Sequence, residues 1–211
     1  MPANTHLVER LTTTCFFACT YFLLYMVQMK IMESFEFLPM ASILFLPAGV
    51  KFLAMLVGRG AGVAGIIIGV GLVNQFTGET QNFNHMHAYA LFVWILLPYV
   101  LLSAYLNKRG HGHNLNGLTT FDVVMLVIMV SFVSSIGAQL YWNGWGPAEF
   151  PLLRAIWGMF IGDISGVFLM LGIVIVARRL FFMPFAITKP NNLPFTNTLY
   201  SVSHTHTTAV V

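Results

Sequence analysis

Apolar residues in this chain come in long runs rather than in the short alternations of a soluble fold. Six runs stand out, at 12–29, 37–57, 61–76, 86–106, 121–141 and 152–179, divided by polar stretches such as 30–36 and the tight Gly58-Arg59-Gly60. Runs of about 20 apolar residues suit helices that cross a hydrocarbon core, where the backbone must satisfy its own hydrogen bonds. The predicted fold class is all-α, a polytopic membrane bundle of about six transmembrane helices. Residues 1–187 form the bundle, and the Ser/Thr/Asn-rich segment 188–211 is predicted to be a flexible cytoplasmic tail. The first run is read as a retained helix, because Val8 to Arg10 is a weak n-region and no Ala-x-Ala cleavage site follows.

Polar positions inside the runs change the picture most. Asp163 lies in the middle of the sixth run and Lys51 well inside the second. Charges at membrane depth are costly, so each is expected to face protein or a water-filled cavity. Counting from helix starts near Leu38 and Leu152, Lys51 lies about 20 Å and Asp163 about 16 Å along their spans at 1.5 Å per residue. An ion pair is within a lysine's reach. The alternative is a Lys51 that snorkels to the cytoplasmic surface beside an Asp163 bonded to backbone or water.

Glycines mark the expected close contacts. Gly158, Gly162 and Gly166 recur every four residues around Asp163, and Gly58, Gly62, Gly65 and Gly69 form a stripe from the hairpin into the third run. Such faces let helix backbones approach closely, so runs two and three are predicted to form an antiparallel hairpin and run two to lie against run six. Pro47-Ala48-Gly49 is expected to loosen the second helix just before Lys51, and Pro98 to kink the fourth. Cys15 and Cys19 read as small packing residues.

Composition supports membrane residence: 57% of residues are hydrophobic and 8% charged, with a mean hydropathy of +0.78, where a soluble domain is about a quarter charged. Six spans place both termini on one side. That side collects Arg10, Arg59, Lys108, Arg109, Arg178, Arg179 and Lys189, against Lys30 and Arg154 with Glu33, Glu36, Glu79 and Glu149 on the other. The basic excess predicts cytoplasmic termini, with the bacterial inner membrane as location. The scattered basic residues do not form a nucleic-acid footprint.

Candidate chemistry is sparse. Asn74, Gln75 and Glu79, with Gln139 and Glu149, form an expected external polar mouth that suits a small solute or an ordinary interface. His85/His87, His111/His113 and His204/His206 fall on different sides of the membrane and have no adjacent carboxylates, so no metal site is predicted. No span holds a histidine in its interior for axial haem ligation, His87 standing at the very edge of the fourth run, and no hydrolase or phosphate-loop motif occurs. Catalytic residues and cofactors are both read as none.

Two stretches carry a resemblance. Ile43-Leu44-Phe45-Leu46-Pro47-Ala48-Gly49-Val50-Lys51 and Trp157-Gly158-Met159-Phe160-Ile161-Gly162-Asp163-Ile164-Ser165-Gly166 resemble the Pro-x-Gly segment and the late Gly-Asp-x-x-Gly signature of the first family of bacterial membrane-associated sensor domains. The first stretch is also similar to the membrane half of sugar-phosphate sensor kinases. The resemblance covers about a third of the chain and implies sensing in or near the membrane. The chain departs from the family in having fewer spans and no cytoplasmic output domain, which implies relay to a separate protein partner. Two other readings stand beside it. One is the substrate-binding subunit of an energy-coupling-factor transporter, against which the first span offers Ala18 without an Ala-x-x-x-Ala motif. The other is a structural subunit of a larger membrane complex.

Overall fold

The computed structural model describes residues 3–31, 36–38, 41–42, 44–78, 89, 91–111, 115, 117–143 and 152–182. Among these are six α-helices: α1 (Ala3–Ile31), α2 (Leu46–Leu53), α3 (Arg59–Thr77), α4 (Leu97–Lys108), α5 (Thr120–Asn143) and α6 (Leu152–Phe182). Two π-helical segments, Ala54–Gly58 and Phe92–Leu96, lead into α3 and α4. A hairpin of two short antiparallel strands, β1 (Glu36–Leu38) and β2 (Ala41–Ser42), precedes α2. The chain divides into a compact unit, Met1–Ile175, and a second unit, Val176–Val211, whose described part is the last stretch of α6. The predicted tail, 188–211, lies outside the described residues.

Four helical stretches are long and apolar enough to cross a membrane: Thr5–Lys30, Leu46–Thr77, Thr120–Gln139 and Leu152–Leu180. The apolar Phe92–Lys108 is shorter. The protein is therefore a helical, multi-pass membrane protein. Large apolar side chains such as Phe16, Leu23, Ile68, Leu72, Phe132 and Ile161 stand on its outer faces, as contact with lipid requires. Phe52, Met55, Ile66, Ile95, Leu102 and Leu126 fill the interior.

Leu46–Thr77 is helical almost throughout, yet it reverses direction. Arg59 takes φ 52° and ψ −135°, and it is the one non-glycine with positive φ among the described residues. Such a conformation costs about 1–3 kcal/mol and persists only where packing imposes it. The packing is visible at Gly62, where a Cβ would collide with the carbonyl of Ala54. Those residues would be about 12 Å apart in a continuous helix. The segment is a hairpin, with α2 and its π extension as the short arm.

That short arm corrects the predicted second span. Its helix starts at Leu46 rather than near Leu38, because Glu36–Leu38 and Ala41–Ser42 are paired strands and Pro47 fits only the first turn of a helix. From Leu46 to Gly58 the arm covers roughly 20 Å at 1.5 Å per residue, too little for a hydrocarbon core of about 30 Å. The glycine stripe of α3 is also divided in its partners. Gly62 faces the short arm, whereas Gly65 and Gly69 face the backbone of Thr14 and Ala18 on α1, and Gly58 faces Phe17. Thr14 Oγ1 donates to the Ala61 carbonyl at 3.0 Å and fixes the same contact. Cys15 and Cys19 point outward, so Thr14, Phe17, Ala18 and Tyr21 do the packing that the cysteines were expected to share.

The second half is built from α4 and α5. Leu97 N–H bonds back to Phe92 O, five residues earlier, just before Pro98, which has no N–H to continue an α-helical ladder. The bend expected at Pro98 therefore takes the form of a π turn. Gly110, at φ 75°, ends α4, with His111 N–H reaching Leu106 O at 2.9 Å. A reciprocal cap opens α5: Asp122 N–H bonds to Thr119 Oγ1 at 3.2 Å, and Thr119 N–H to Asp122 Oδ2 at 3.1 Å. Tyr105 Oη donates to Asp122 Oδ1 at 2.8 Å, and Arg109 Nε lies 3.6 Å from the same oxygen. Along α5 the small residues Ser131, Ser134, Ser135 and Ala138 are buried, and at Gly137 a Cβ would lie 2.8 Å from the backbone of Trp94.

The close approach of the short arm to α6 gives a test. A Cβ on Gly166 would meet the Phe45 carbonyl, whereas one on Gly172 would meet nothing within 4 Å. Gly166→Ala is expected to destabilise the protein by about 1–3 kcal/mol through overpacking. Gly172→Ala should match or slightly exceed the parent, since alanine is the better helix former. Thermal unfolding in detergent separates the two; equal melting temperatures would refute the contact.

Candidate functional site

The short arm begins where its backbone needs help. Phe45 precedes the first turn of α2 and supplies no side-chain cap. Three hydrogen bonds from other elements take over. Phe45 N–H donates to Gly162 O at 3.1 Å, Leu46 N–H donates to Gln28 Oε1 at 3.0 Å, and Gln28 Nε2 donates to Leu44 O at 2.7 Å. Gln28 of α1 thus reads both faces of one peptide stretch and is itself buried. A Cβ on Gly49 would fall on Met170 and the Gly166 carbonyl, so α2 lies directly on the α6 backbone from Gly162 to Met170.

This seating brings Lys51 to Asp163. Lys51 Nζ lies 3.8 Å from Asp163 Oδ2, and both side chains are 2% exposed. The ammonium also lies 5.2 Å from the centroid of the Trp94 ring. Trp94 belongs to the π segment Phe92–Leu96, whose backbone is pressed against Gly137. Tyr21 of α1, 1% exposed, packs against Gly69 of α3. Three parts of the chain therefore meet at this pair: α2, α6 and the π segment before α4.

The energetics are balanced rather than strongly favourable. At 3.8 Å the Coulomb attraction is about 4 kcal/mol for an effective dielectric near 20. Desolvation costs several kcal/mol per ion. Contact with the indole face adds about 2 kcal/mol when the cation is desolvated. Among the described residues, Lys51 Nζ and both Asp163 oxygens make no hydrogen bond. The pair is held by attraction across a gap rather than by a short contact.

Other sequence candidates are placed apart from this centre. Asn74 is half-buried near the end of α3, where its carbonyl accepts the N–H of Gly78; Gln75 is exposed. Glu79 and Glu149 lie outside the described residues. Gln139 is buried between α5 and α6, with Nε2 3.5 Å from Ala155 O and 3.6 Å from Met159 Sδ. Gly162 is buried and Gly158 half-buried. Of the paired histidines only His111 is described, and among the described residues no three metal-ligating side chains gather.

One contributor went unrecognised in the sequence, and another was noted only as one of several aromatics. Gln28 looks like an ordinary polar residue in the last turn of a span, and nothing in its spacing points to residues 44–46. Trp94 is an aromatic residue in an aromatic-rich run. The buried serines of α5 did carry a signal: Ser131, Ser134, Ser135 and Ala138 recur at helical spacing. No protein-family model, curated protein or solved structure matches the chain.

A double-mutant cycle tests the centre. Lys51→Met or Asp163→Asn alone leaves one buried charge unpaired, which costs about 3–5 kcal/mol in soluble proteins and less where water defects reach the charge. The double variant should recover much of the loss. Simple additivity in thermal stability would show that the residues do not interact. Gln28→Leu strips partners from Leu44 O and Leu46 N–H and should cost about 1–3 kcal/mol for each group left unsatisfied.

Proposed function

We propose that this chain is a sensor-like protein of the bacterial inner membrane. It crosses the membrane about six times with both termini in the cytoplasm, and relays a membrane or small-ligand signal to a separate protein partner. The observation that carries this reading is the buried Lys51–Asp163 pair, which ties a half-length, backbone-seated helix to a long one. A signal that changes the charge or bonding of the pair changes the energy of that docking. The two stretches that resemble the sensor-domain family are the ones that meet here, through Phe45–Gly162 and Lys51–Asp163. Six crossings require the short arm Leu46–Gly58 and the helix Phe92–Lys108 to count as membrane segments beside the four longer stretches. The positions of Arg10, Arg59, Lys108 and Arg109 support this orientation.

The transporter-subunit reading is weaker. Ala18, the small residue available on α1 for a coupling partner, is 4% exposed and covered by Gly69 of the same chain. A structural-subunit role uses the same glycine contacts and needs the charge pair only to select which helices sit together.

Two measurements test the proposal. A reporter fused after Arg179 should be active only in a cytoplasm-dependent form; periplasmic activity would overturn the orientation. Affinity capture of the full chain from native membranes should enrich a kinase or a nucleotide cyclase. The uncharged Lys51→Met/Asp163→Asn protein should keep its stability while changing that partner's activity. A tightly bound vitamin or metal with an ATPase partner would replace the sensor reading with transport.

A further inference from the structure

A second polar feature lies away from the charge pair, where α1 passes the turn between the short arm and α3. Here a cleft of about 640 Å³ is bounded by His6, Glu9, Arg10, Arg59 and Tyr99, with Thr13 and Thr14 along its α1 wall. Its frame is fixed by hydrogen bonds: Thr13 Oγ1 donates to Glu9 O at 2.8 Å, and Thr14 Oγ1 to Ala61 O at 3.0 Å. Gly60 leaves the turn bare, and the Tyr99 hydroxyl lies 3.9 Å from where its Cβ would be.

The lining is amphiphilic. Two arginines and one glutamate line it, and Glu9 Oε2 lies 3.9 Å from His6 Nδ1. Arg10 is exposed and makes no ion pair or hydrogen bond among the described residues. Leu11 and Val57, on the span side of Arg10 and Arg59, also line the cleft and are exposed to the surroundings of the bundle. In a membrane protein those surroundings are acyl chains. A ligand that satisfies both sets is anionic at its head and apolar below it.

We infer that this cleft binds the headgroup of an anionic phospholipid, with its phosphate between Arg10 and Arg59. Guanidinium groups match phosphate oxygens in a bidentate fashion, and basic pockets between membrane helices recognise such headgroups. Tyr99 and the turn at Gly60 leave room for the glycerol. The apolar residues at the rim receive the chains, which is why the phosphate belongs to a lipid rather than to a soluble ester. The leaflet rests on the proposed orientation, but binding itself does not, so a failed reporter test and a failed lipid test are separate results.

The test uses the full chain in neutral detergent, with an equimolar mixture of phosphatidylglycerol and phosphatidylcholine of matched chains, read by native mass spectrometry. Phosphatidylglycerol should be retained preferentially. Each basic residue near an anionic surface is worth about fivefold in binding, so Arg10→Gln, an exposed and unpaired position, should cut the preference about fivefold. Arg59→Gln should do the same, and Lys30→Gln should not. Equal retention of the two lipids by the parent, or a preference unchanged in Arg10→Gln, overturns the inference. Displacement of the lipid by millimolar inorganic phosphate assigns the site to a soluble anion and overturns it as well.

Discussion

An ammonium ion taken out of water must be met by something, and in this fold most of the interior is arranged around meeting one. Lys51 is 2% exposed, and its charge is answered by Asp163 from α6 and the ring of Trp94. Neither contact is short. Attraction and desolvation come out nearly equal, so the pair adds little net stability but penalises every arrangement that leaves one member alone. It therefore selects which helices sit together more than it strengthens their packing.

The backbone makes that selection possible. For Lys51 to reach Asp163, α2 must lie on α6 without intervening side chains, and Gly49 and Gly166 remove them. Once the backbones touch, the peptide groups at the start of α2 lose water, and Gln28 with the Gly162 carbonyl replaces it. The same logic operates at Gly62 against Ala54, Gly65 against Thr14 and Gly137 against Trp94. Van der Waals contact between bare backbones and a few polar groups holds such bundles, since lipid offers no hydrophobic drive between helices.

Much of this was legible in the sequence. The helical membrane class follows from the length of the apolar runs, and the charged residues were visible because lysine and aspartate are conspicuous there. The common depth of Lys51 and Asp163 was reached by a wrong route, counting from Leu38 along a helix that begins only at Leu46. The depths agree because α2 starts beside Gly162, partway along α6, and no periodicity reports where on a neighbour a helix begins. The division of the α3 glycines between two partners was hidden for the same reason. A stripe states that something comes close, but not what. Gln28 was out of reach because its role is defined by residues 16 and 18 positions away.

The reversal at Arg59 and the late position of Asp163 together set a timetable for synthesis. The hairpin carrying Lys51 leaves the ribosome 112 residues before Asp163 does, a delay of about 6–22 s at 5–20 residues per second. Throughout that interval the ammonium has no carboxylate to meet, and its long stem must carry it to water. Until then the short arm has its contacts with α1 and α3, through Gln28 and Gly62, and the last helix brings the carboxylate.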